Sequence, residues 1–136
     1  MIIHLLLLAI HAHADLGPKP QAYFFWKDLK GIEQSSLQLM QCEDKTCKNA
    51  EPLKSVGPQG FSCCDHGCYA MAYGFSKFFR LEAKTSKGKG AKSNVLEMEG
   101  MENFLKLSMK NGQLTVTPSA SLTEDEKQKI MSCRYK

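Results

Sequence analysis

Short runs of alternating apolar and polar residues recur along the chain and predict a mainly β fold. The aromatic run at 23–26 and the segment SLQLMQC at 36–42 have strand character. Residues 69–75 alternate bulky with small side chains, and residues 78–83 continue the period of two. Several strands of this kind in one short chain predict an antiparallel β-sandwich.

The clearest local signal is the dipeptide Asn111-Gly112, which is preferred in two-residue type I′ hairpin turns. Pairing outward from this turn sets Met109 opposite Leu114 and Leu107 opposite Val116. All four apolar side chains then share one face, so the turn chemistry and the hydrophobic pattern predict the same register.

The period changes near the carboxyl end, where the sequence predicts one short helix. Thr123 and Glu126 have the spacing of a capping box, in which each side chain bonds the other residue's backbone N–H. Acidic residues in the first turn suit the positive end of the helix dipole. Ile130 and Cys133 lie three residues apart, so we expect the helix to dock through Ile130 and to be tied down through Cys133.

The amino-terminal segment has the pattern of an export signal. Residues 2–10 form a short apolar run interrupted by His4, and Ala12-His13-Ala14 is the small-x-small sequence that signal peptidase accepts. The run is well short of the roughly 20 residues of a membrane span. The sequence therefore predicts a signal peptide at 1–14, a single disulfide-stabilised domain at 15–136, secretion to the extracellular space and no membrane span.

The even number of cysteines predicts a disulfide framework, because exported chains fold under oxidising conditions. The cysteines are Cys42, Cys47, Cys63, Cys64, Cys68 and Cys133. One arrangement closes two small loops, Cys42–Cys47 and Cys63–Cys68, and leaves Cys64 for Cys133. A crossed arrangement, Cys42–Cys68 with Cys47–Cys63, would staple two strands instead, and the spacing alone leaves both open.

Two other readings of the cysteine cluster carry less weight. Zinc accepts cysteine and histidine ligands, but the spacing of Cys64, His66 and Cys68 matches none of the common zinc patterns. A thiolate activated by His66 would need a spare cysteine, and a set of six that can all pair leaves none. We therefore expect no metal, no cofactor and no catalytic residue.

A lysine cluster at 84–92 is the candidate contact region for a partner. The segment KTSKGKGAK holds Lys84, Lys87, Lys89 and Lys92. Within it, residues 86–92 are predicted to form a polar, glycine-rich tip, and residues 93–98 are predicted to return as the partner strand. The net charge of the chain is +4, and Arg80 and Arg134 are its only arginines. Because neither arginine nor an aromatic residue is interleaved with these lysines, specific nucleic-acid recognition is not expected. Sulfated glycans and acidic headgroups remain open as contacts, as does a purely solvated hairpin tip.

The stretch KFFRLEAKTSKGKGAKSNVLEM at 77–98 resembles the final hairpin of fibronectin type III and related immunoglobulin-like sandwiches. In those domains an aromatic-x-x-aliphatic strand leads to a glycine-containing tip and a Ser-Asn-Val type return. The chain departs from that pattern afterwards, where the Asn-Gly hairpin and the capped helix follow. As a whole, the chain is also similar to small secreted cysteine-rich effectors of pathogens, which implies a role in virulence by binding a host molecule.

These observations together predict a monomeric secreted binding module that acts as an extracellular ligand or host-directed effector, without catalysis. The expected partner is a host or cell-surface protein or glycan. Two alternatives stay open at the level of the sequence. One is a membrane-active toxin or antimicrobial protein that depends on the lysine cluster, and the other is a small secreted hydrolase that uses His66.

Overall fold

The computed structural model describes residues 20–53, 60–71, 77–119 and 121–135, so the predicted signal peptide at 1–14 lies outside it. The strands are β1 (Gln21–Phe25), β2 (Ile32–Cys42), β3 (Ala50–Pro52), β4 (Phe61–Cys64), β5 (Gly67–Met71), β6 (Phe78–Thr85), β7 (Gly90–Lys92), β8 (Leu96–Glu97), β9 (Glu102–Lys110) and β10 (Gln113–Pro118). A short helix, α1 (Glu124–Met131), follows them and continues into a 3-10 turn, Ser132–Tyr135. The predicted fold class, mainly β with a short carboxyl-terminal helix, is confirmed.

The strands form two sheets. Sheet A has the order β10-β9-β1-β5-β4, and sheet B has the order β3-β2-β6-β7 with β8 also paired to β6. Consecutive strands pair in the hairpins β4–β5, β6–β7 and β9–β10, as expected for an antiparallel sandwich. One pair departs from that pattern, because β1 and β9 run parallel from Gln21↔Glu102 to Phe25↔Lys106.

The core lies between the two sheets. Alternate residues of each strand point inward, so the same period of two that predicted the strands also fills the space between them. Phe24 on β1 and Leu39 and Leu81 on sheet B have no solvent exposure, and Leu107 and Val116 are nearly as buried. All five belong to one continuous apolar cluster.

The outer face of sheet A carries a second, smaller apolar cluster beneath α1. Tyr23, Tyr69 and Ile130 are its buried members. The ring of Tyr23 stacks on Phe104 with centroids 5.5 Å apart and meets Tyr69 edge-on at the same distance. The helix therefore forms a third layer over the centre of sheet A.

A glycine on β5 makes the close approach of the helix possible. Gly67 has a φ of +150°. A Cβ added there would collide with the backbone oxygen of Phe24 and would lie 3.2 Å from Cγ1 of Ile130. Any side chain at this position would therefore push both the helix and β1 away from β5.

Both local motifs of the carboxyl-terminal half are confirmed. The register of the β9–β10 hairpin sets Met109 opposite Leu114 and Leu107 opposite Val116, as the Asn-Gly turn predicted. In the capping box, Glu126 N donates to Thr123 Oγ1 at 3.1 Å, and Thr123 N donates to Glu126 Oε1 at 2.9 Å. The helix begins where these side chains satisfy its first amide groups.

The lysine cluster differs from the prediction in its secondary structure. The sequence predicted a polar tip at 86–92 and a partner strand at 93–98. Instead the turn is confined to 86–89, and the return is divided between β7 and β8. The division occurs at Ser93, whose buried hydroxyl accepts from Leu81 N at 2.9 Å and donates to Asn94 O at 2.8 Å.

Candidate functional site

All six cysteines are paired in the structure. The disulfides are Cys42–Cys47, Cys63–Cys68 and Cys64–Cys133. This is the arrangement with two small loops rather than the crossed one. Its origin is the hairpin β4–β5, where Cys63 and Cys68 stand directly opposite each other. The adjacent Cys64 points to the other face of the strand, toward α1.

His66 lies in the turn between β4 and β5 and is exposed. With its neighbouring cysteines in disulfides, no thiolate or zinc ligand set surrounds it, and the described ranges contain no group of three or more metal-ligating side chains. The role of His66 in a hydrolase is not tested by these contacts and stays a prediction.

Strand directions bring several turns to one end of the sandwich. β1 runs toward turn 26–31, from which β2 departs, and β5 begins there because it is antiparallel to β1. β6 ends at the same place, since Ile32 pairs with Thr85. The carboxyl end of β9 joins them through its parallel pairing with β1. We call this the lysine-rich end and define it by turns 26–31, 65–66, 86–89 and 111–112 with the adjoining strand ends.

Charge is divided unequally between the two ends. Lysines dominate the lysine-rich end, which in the described ranges carries Lys27, Lys30, Lys84, Lys87, Lys89, Lys106, Lys110 and Lys129 against Asp28, Glu33, Asp65 and Glu126. Among the described residues, carboxylates dominate the opposite end, which carries Glu43, Asp44, Glu51, Glu97, Glu99, Glu102 and Glu124 against Lys45, Lys48, Lys77, Arg80 and Lys127. The sandwich is therefore electrically polar along its strands.

The tip of the β6–β7 hairpin is held by its own backbone. Thr85 N donates to Lys89 O at 2.8 Å, and Gly88 N donates to Thr85 O at 2.9 Å. Ser86 N donates to Gly31 O at 2.9 Å, which joins the tip to turn 26–31. Lys87 and Lys89, two of the predicted contact lysines, therefore project from an ordered turn.

The four predicted contact lysines all lie on this hairpin and are exposed. Lys84 is on β6, Lys87 and Lys89 are in the turn, and Lys92 is on β7. Within the described residues, none of their ammonium groups has a carboxylate oxygen within 4.0 Å. Their charge is thus directed at solvent rather than at a neighbouring side chain.

The same end contains a cleft of about 340 Å³ between the end of β1 and the helix. Phe25 and Trp26 supply its aromatic surface, and both are half-buried. Leu122 and Ile130 add an apolar edge from the helical segment. The remainder of the lining is polar or charged, and it includes His66.

The charged groups of the cleft are mainly cationic. Lys27, Lys106 and Lys129 line it together with one carboxylate, that of Glu126. Lys129 Nζ lies 3.2 Å from Asp125 Oδ2. Hydrogen bonds from Thr123, chiefly from its backbone N–H, lower the pKa of Glu126 and hold its carboxylate at the helix start. Neither Lys27 nor Lys106 has a carboxylate within 4.0 Å among the described residues.

The cleft and its lysines Lys27 and Lys106 were not identified from the sequence, although His66 and the aromatic run at 23–26 were singled out for other reasons. Lys106 stands between Leu105 and Leu107 in a strand pattern, where it reads as an ordinary outward-facing lysine. Only the parallel pairing of Phe25 with Lys106 brings it beside Trp26. One local signal in the sequence pointed to this region: the aromatic pair Phe25-Trp26 at the end of a strand is followed directly by Lys27.

Comparisons with protein families, curated proteins and solved structures find no match for this chain. In the part of the chain that the structure describes, no helix is both long enough and apolar enough to cross a membrane.

Proposed function

We propose that this chain is a secreted binding protein, acting as an extracellular ligand or host-directed effector, whose lysine-rich end contacts an anionic molecule of a host or cell surface. The observation that carries the proposal is the separation of charge between the two ends of the sandwich. A one-sided positive field attracts polyanions and orients the approaching protein. The three disulfides support export, because such bonds persist in oxidising compartments.

A monomeric binding protein must keep its sheet edges from pairing with other chains. At the β10 edge of sheet A, the side-chain amide of Asn94 takes the place of a further strand. Its Nδ2 donates to Val116 O at 2.9 Å, and its Oδ1 accepts from Val116 N at 2.8 Å. This capping of the edge supports action as a monomer.

Membrane insertion is the alternative use of the lysine-rich end, and it would need apolar side chains beside the lysines. Among the described residues, the exposed large hydrophobic side chain is Met101, with 46% exposure, and it lies at the opposite end. This distribution of exposed apolar side chains favours contact with a soluble or surface-displayed polyanion over insertion into a bilayer.

The test is retention on immobilised heparin in a salt gradient. The test variant combines Lys84→Gln, Lys87→Gln and Lys89→Gln. The control combines Lys45→Gln, Lys48→Gln and Lys77→Gln, which removes the same charge from the opposite end. We expect affinity at physiological salt to fall roughly tenfold in the test variant, since each exposed contact contributes on the order of 0.5 kcal/mol. We also expect a shallower dependence of its affinity on salt.

The control should elute close to the wild-type chain. Equal losses in both variants would mean that net charge alone determines retention, and this result would overturn the proposal. Leakage of anionic vesicles caused by the wild-type chain and abolished in the test variant would instead favour the membrane-active alternative. Hydrolysis that disappears in a His66→Ala protein would favour the enzyme.

A further inference from the structure

We propose that the cleft beside Trp26 is a binding site for an acidic sugar residue of an anionic glycan, with Lys106 as the residue that binds its carboxylate or sulfate group. This inference rests on the proposed function for the charge of the partner, but it concerns a different set of side chains from the hairpin tip. It assigns a discrete ligand site where the tip lysines offer only an exposed charged surface.

The shape and the aromatic lining of the cleft favour a small ring over an extended flat surface. A volume of about 340 Å³ is within the range of small-molecule sites, which are concave and contain few polar groups of fixed position. Trp26 and Phe25 are half-buried, so each presents part of its ring to the cleft. A sugar ring has an apolar C–H face that packs on such rings and a polar rim that remains hydrated.

The cationic groups favour a ligand with a negative charge. Lys106 is half-buried on β9 and lines the cleft, and among the described residues its ammonium group has no carboxylate oxygen within 4.0 Å. Lys27, two residues after β1, also lines the cleft and also has no carboxylate oxygen within 4.0 Å among the described residues, but it is exposed. The opposing Glu126 carboxylate is occupied by the amide of Thr123 and faces the helix start. A charge-assisted hydrogen bond to a ligand carboxylate would therefore be favourable at Lys106.

The remaining lining distinguishes an acidic sugar from a lipid. Leu122 and Ile130 are the apolar side chains that the helical segment adds to the cleft, and Ile130 is 3% exposed, so an acyl chain would find only Leu122 and the flat rings of Phe25 and Trp26. The side chain of Ser119 and the imidazole of His66 offer further hydrogen-bonding groups around the cleft. Hydroxyl groups on a sugar ring match that polar rim, whereas a hydrocarbon chain would leave it without partners.

Trp26 is the sole tryptophan of the chain, so intrinsic fluorescence reports on the cleft directly. The experiment titrates the full, disulfide-bonded protein with a tetragalacturonate, a chondroitin sulfate tetrasaccharide and the neutral maltotetraose. We expect a saturable change in Trp26 fluorescence with at least one acidic oligosaccharide and at least about tenfold weaker binding of the neutral one. Sodium sulfate, an acidic peptide and anionic vesicles are titrated in parallel.

Lys106→Gln should weaken binding of the acidic oligosaccharide at least about tenfold, and Lys106→Arg should restore much of it. The matched control is Lys48→Gln, which removes an exposed lysine at the opposite end, away from the cleft, and should change binding less than about twofold. Rescue by arginine separates loss of the charge from a loss of folding.

Three other outcomes of the fluorescence titrations would overturn the assignment of the cleft to an acidic sugar. A fluorescence response as strong with sodium sulfate alone would indicate a general anion site, and a response only to peptide or vesicles would indicate another class of ligand. If no oligosaccharide changes the fluorescence but heparin still retains the protein through the tip lysines, the cleft assignment fails and the proposed function stands. If the tip variant and its opposite-end control elute alike, the proposed function fails independently of the fluorescence result.

Discussion

Sheet A has two faces that are stabilised in different ways, although the same strands build both. On the inner face, Phe24 belongs to a continuous cluster supplied by many strands of both sheets. On the outer face, the neighbouring Tyr23 is covered by one eight-residue helix whose only buried residue is Ile130. A residue on the inner face therefore packs within a large cluster from both sheets, whereas the outer layer is held by a few side chains.

The covering helix explains where the cleft lies. α1 packs over β1 and β5 through Ile130 and Gly67, and it leaves Phe25 and Lys106 at the edge of the covered area. A short helix cannot cover a whole sheet face, because each residue advances it by only about 1.5 Å. The cleft is thus the uncovered remainder of the outer face at the lysine-rich end.

The largest expected effect is on the inner face. Phe24→Ala removes a side chain with no solvent exposure from the centre of the main cluster, and we expect it to lower the free energy of unfolding by about 3 to 5 kcal/mol. Urea denaturation measures this. Thr117→Ala, at an exposed position of β10, should change the value by less than about 0.5 kcal/mol. Similar losses in the two variants would contradict the location of the core.

The disulfide that fastens the outer layer should have the next largest effect. Cys64–Cys133 joins residues 69 positions apart, whereas Cys42–Cys47 joins residues 5 apart. Because longer loops lose more entropy on closure, removing the first by a Cys64→Ala, Cys133→Ala double substitution should cost about 4 kcal/mol. Removing the second in the same way should cost about 2 kcal/mol.

Urea denaturation of the two double variants gives their losses in free energy of unfolding. Amide hydrogen exchange then shows which elements of the fold are destabilised. Exchange in α1 should accelerate more than exchange in β1 when Cys64 and Cys133 are replaced, because the helix loses its covalent attachment. Equal destabilisation by both double substitutions would contradict the expectation that the bond closing the longer loop contributes more.

The residues that were predictable from the sequence are those whose partners lie nearby along the chain. The Asn111-Gly112 turn, the Thr123–Glu126 cap and the Cys63–Cys68 pair each place both partners within a few residues. The local geometry of a turn or a helix start specifies such pairs without information about the rest of the fold.

The parallel pairing of β1 with β9 was not predictable in this way, because no local rule selects a partner some 80 residues away. The cleft depends on that pairing, which is why Lys106 was missed while Lys84, Lys87 and Lys89 were identified as one cluster. The hairpin tip was placed approximately, and its length was wrong because Ser93 bonds Leu81 and divides the returning strand.

A smaller effect on the outer face should appear at alkaline pH. Burial, followed by repulsion from Tyr69 and Glu102, raises the pKa of Tyr23 from 10.0 to about 12. The neutral phenol is therefore favoured in the folded state. Stability from this group is fully present below pH 10 and is lost as the pH rises toward 12, because the unfolded chain ionises first. The loss should reach about 2 to 3 kcal/mol.

Tyr23→Phe isolates this contribution, since the lysines of the chain also titrate above pH 10. Urea unfolding at several pH values between 9 and 12 should give a steeper decline for the wild-type chain than for the variant. If the free energy of unfolding declines equally with pH in the two proteins, the phenol of Tyr23 ionises as readily in the folded protein as in the unfolded one.

The smallest effect should come from the helix cap, and it tests how independent the outer layer is. Thr123→Ala removes the oxygen that accepts from Glu126 N at 3.1 Å, so we expect a loss of about 1 kcal/mol. Thr123→Ser keeps that acceptor and serves as the control. Because α1 is attached to sheet A mainly through Ile130 and the Cys64–Cys133 bond, the loss should appear first as faster amide exchange within the helix. Equally faster exchange in β1 and β5 would instead mean that the helix and the two sheets unfold as one unit.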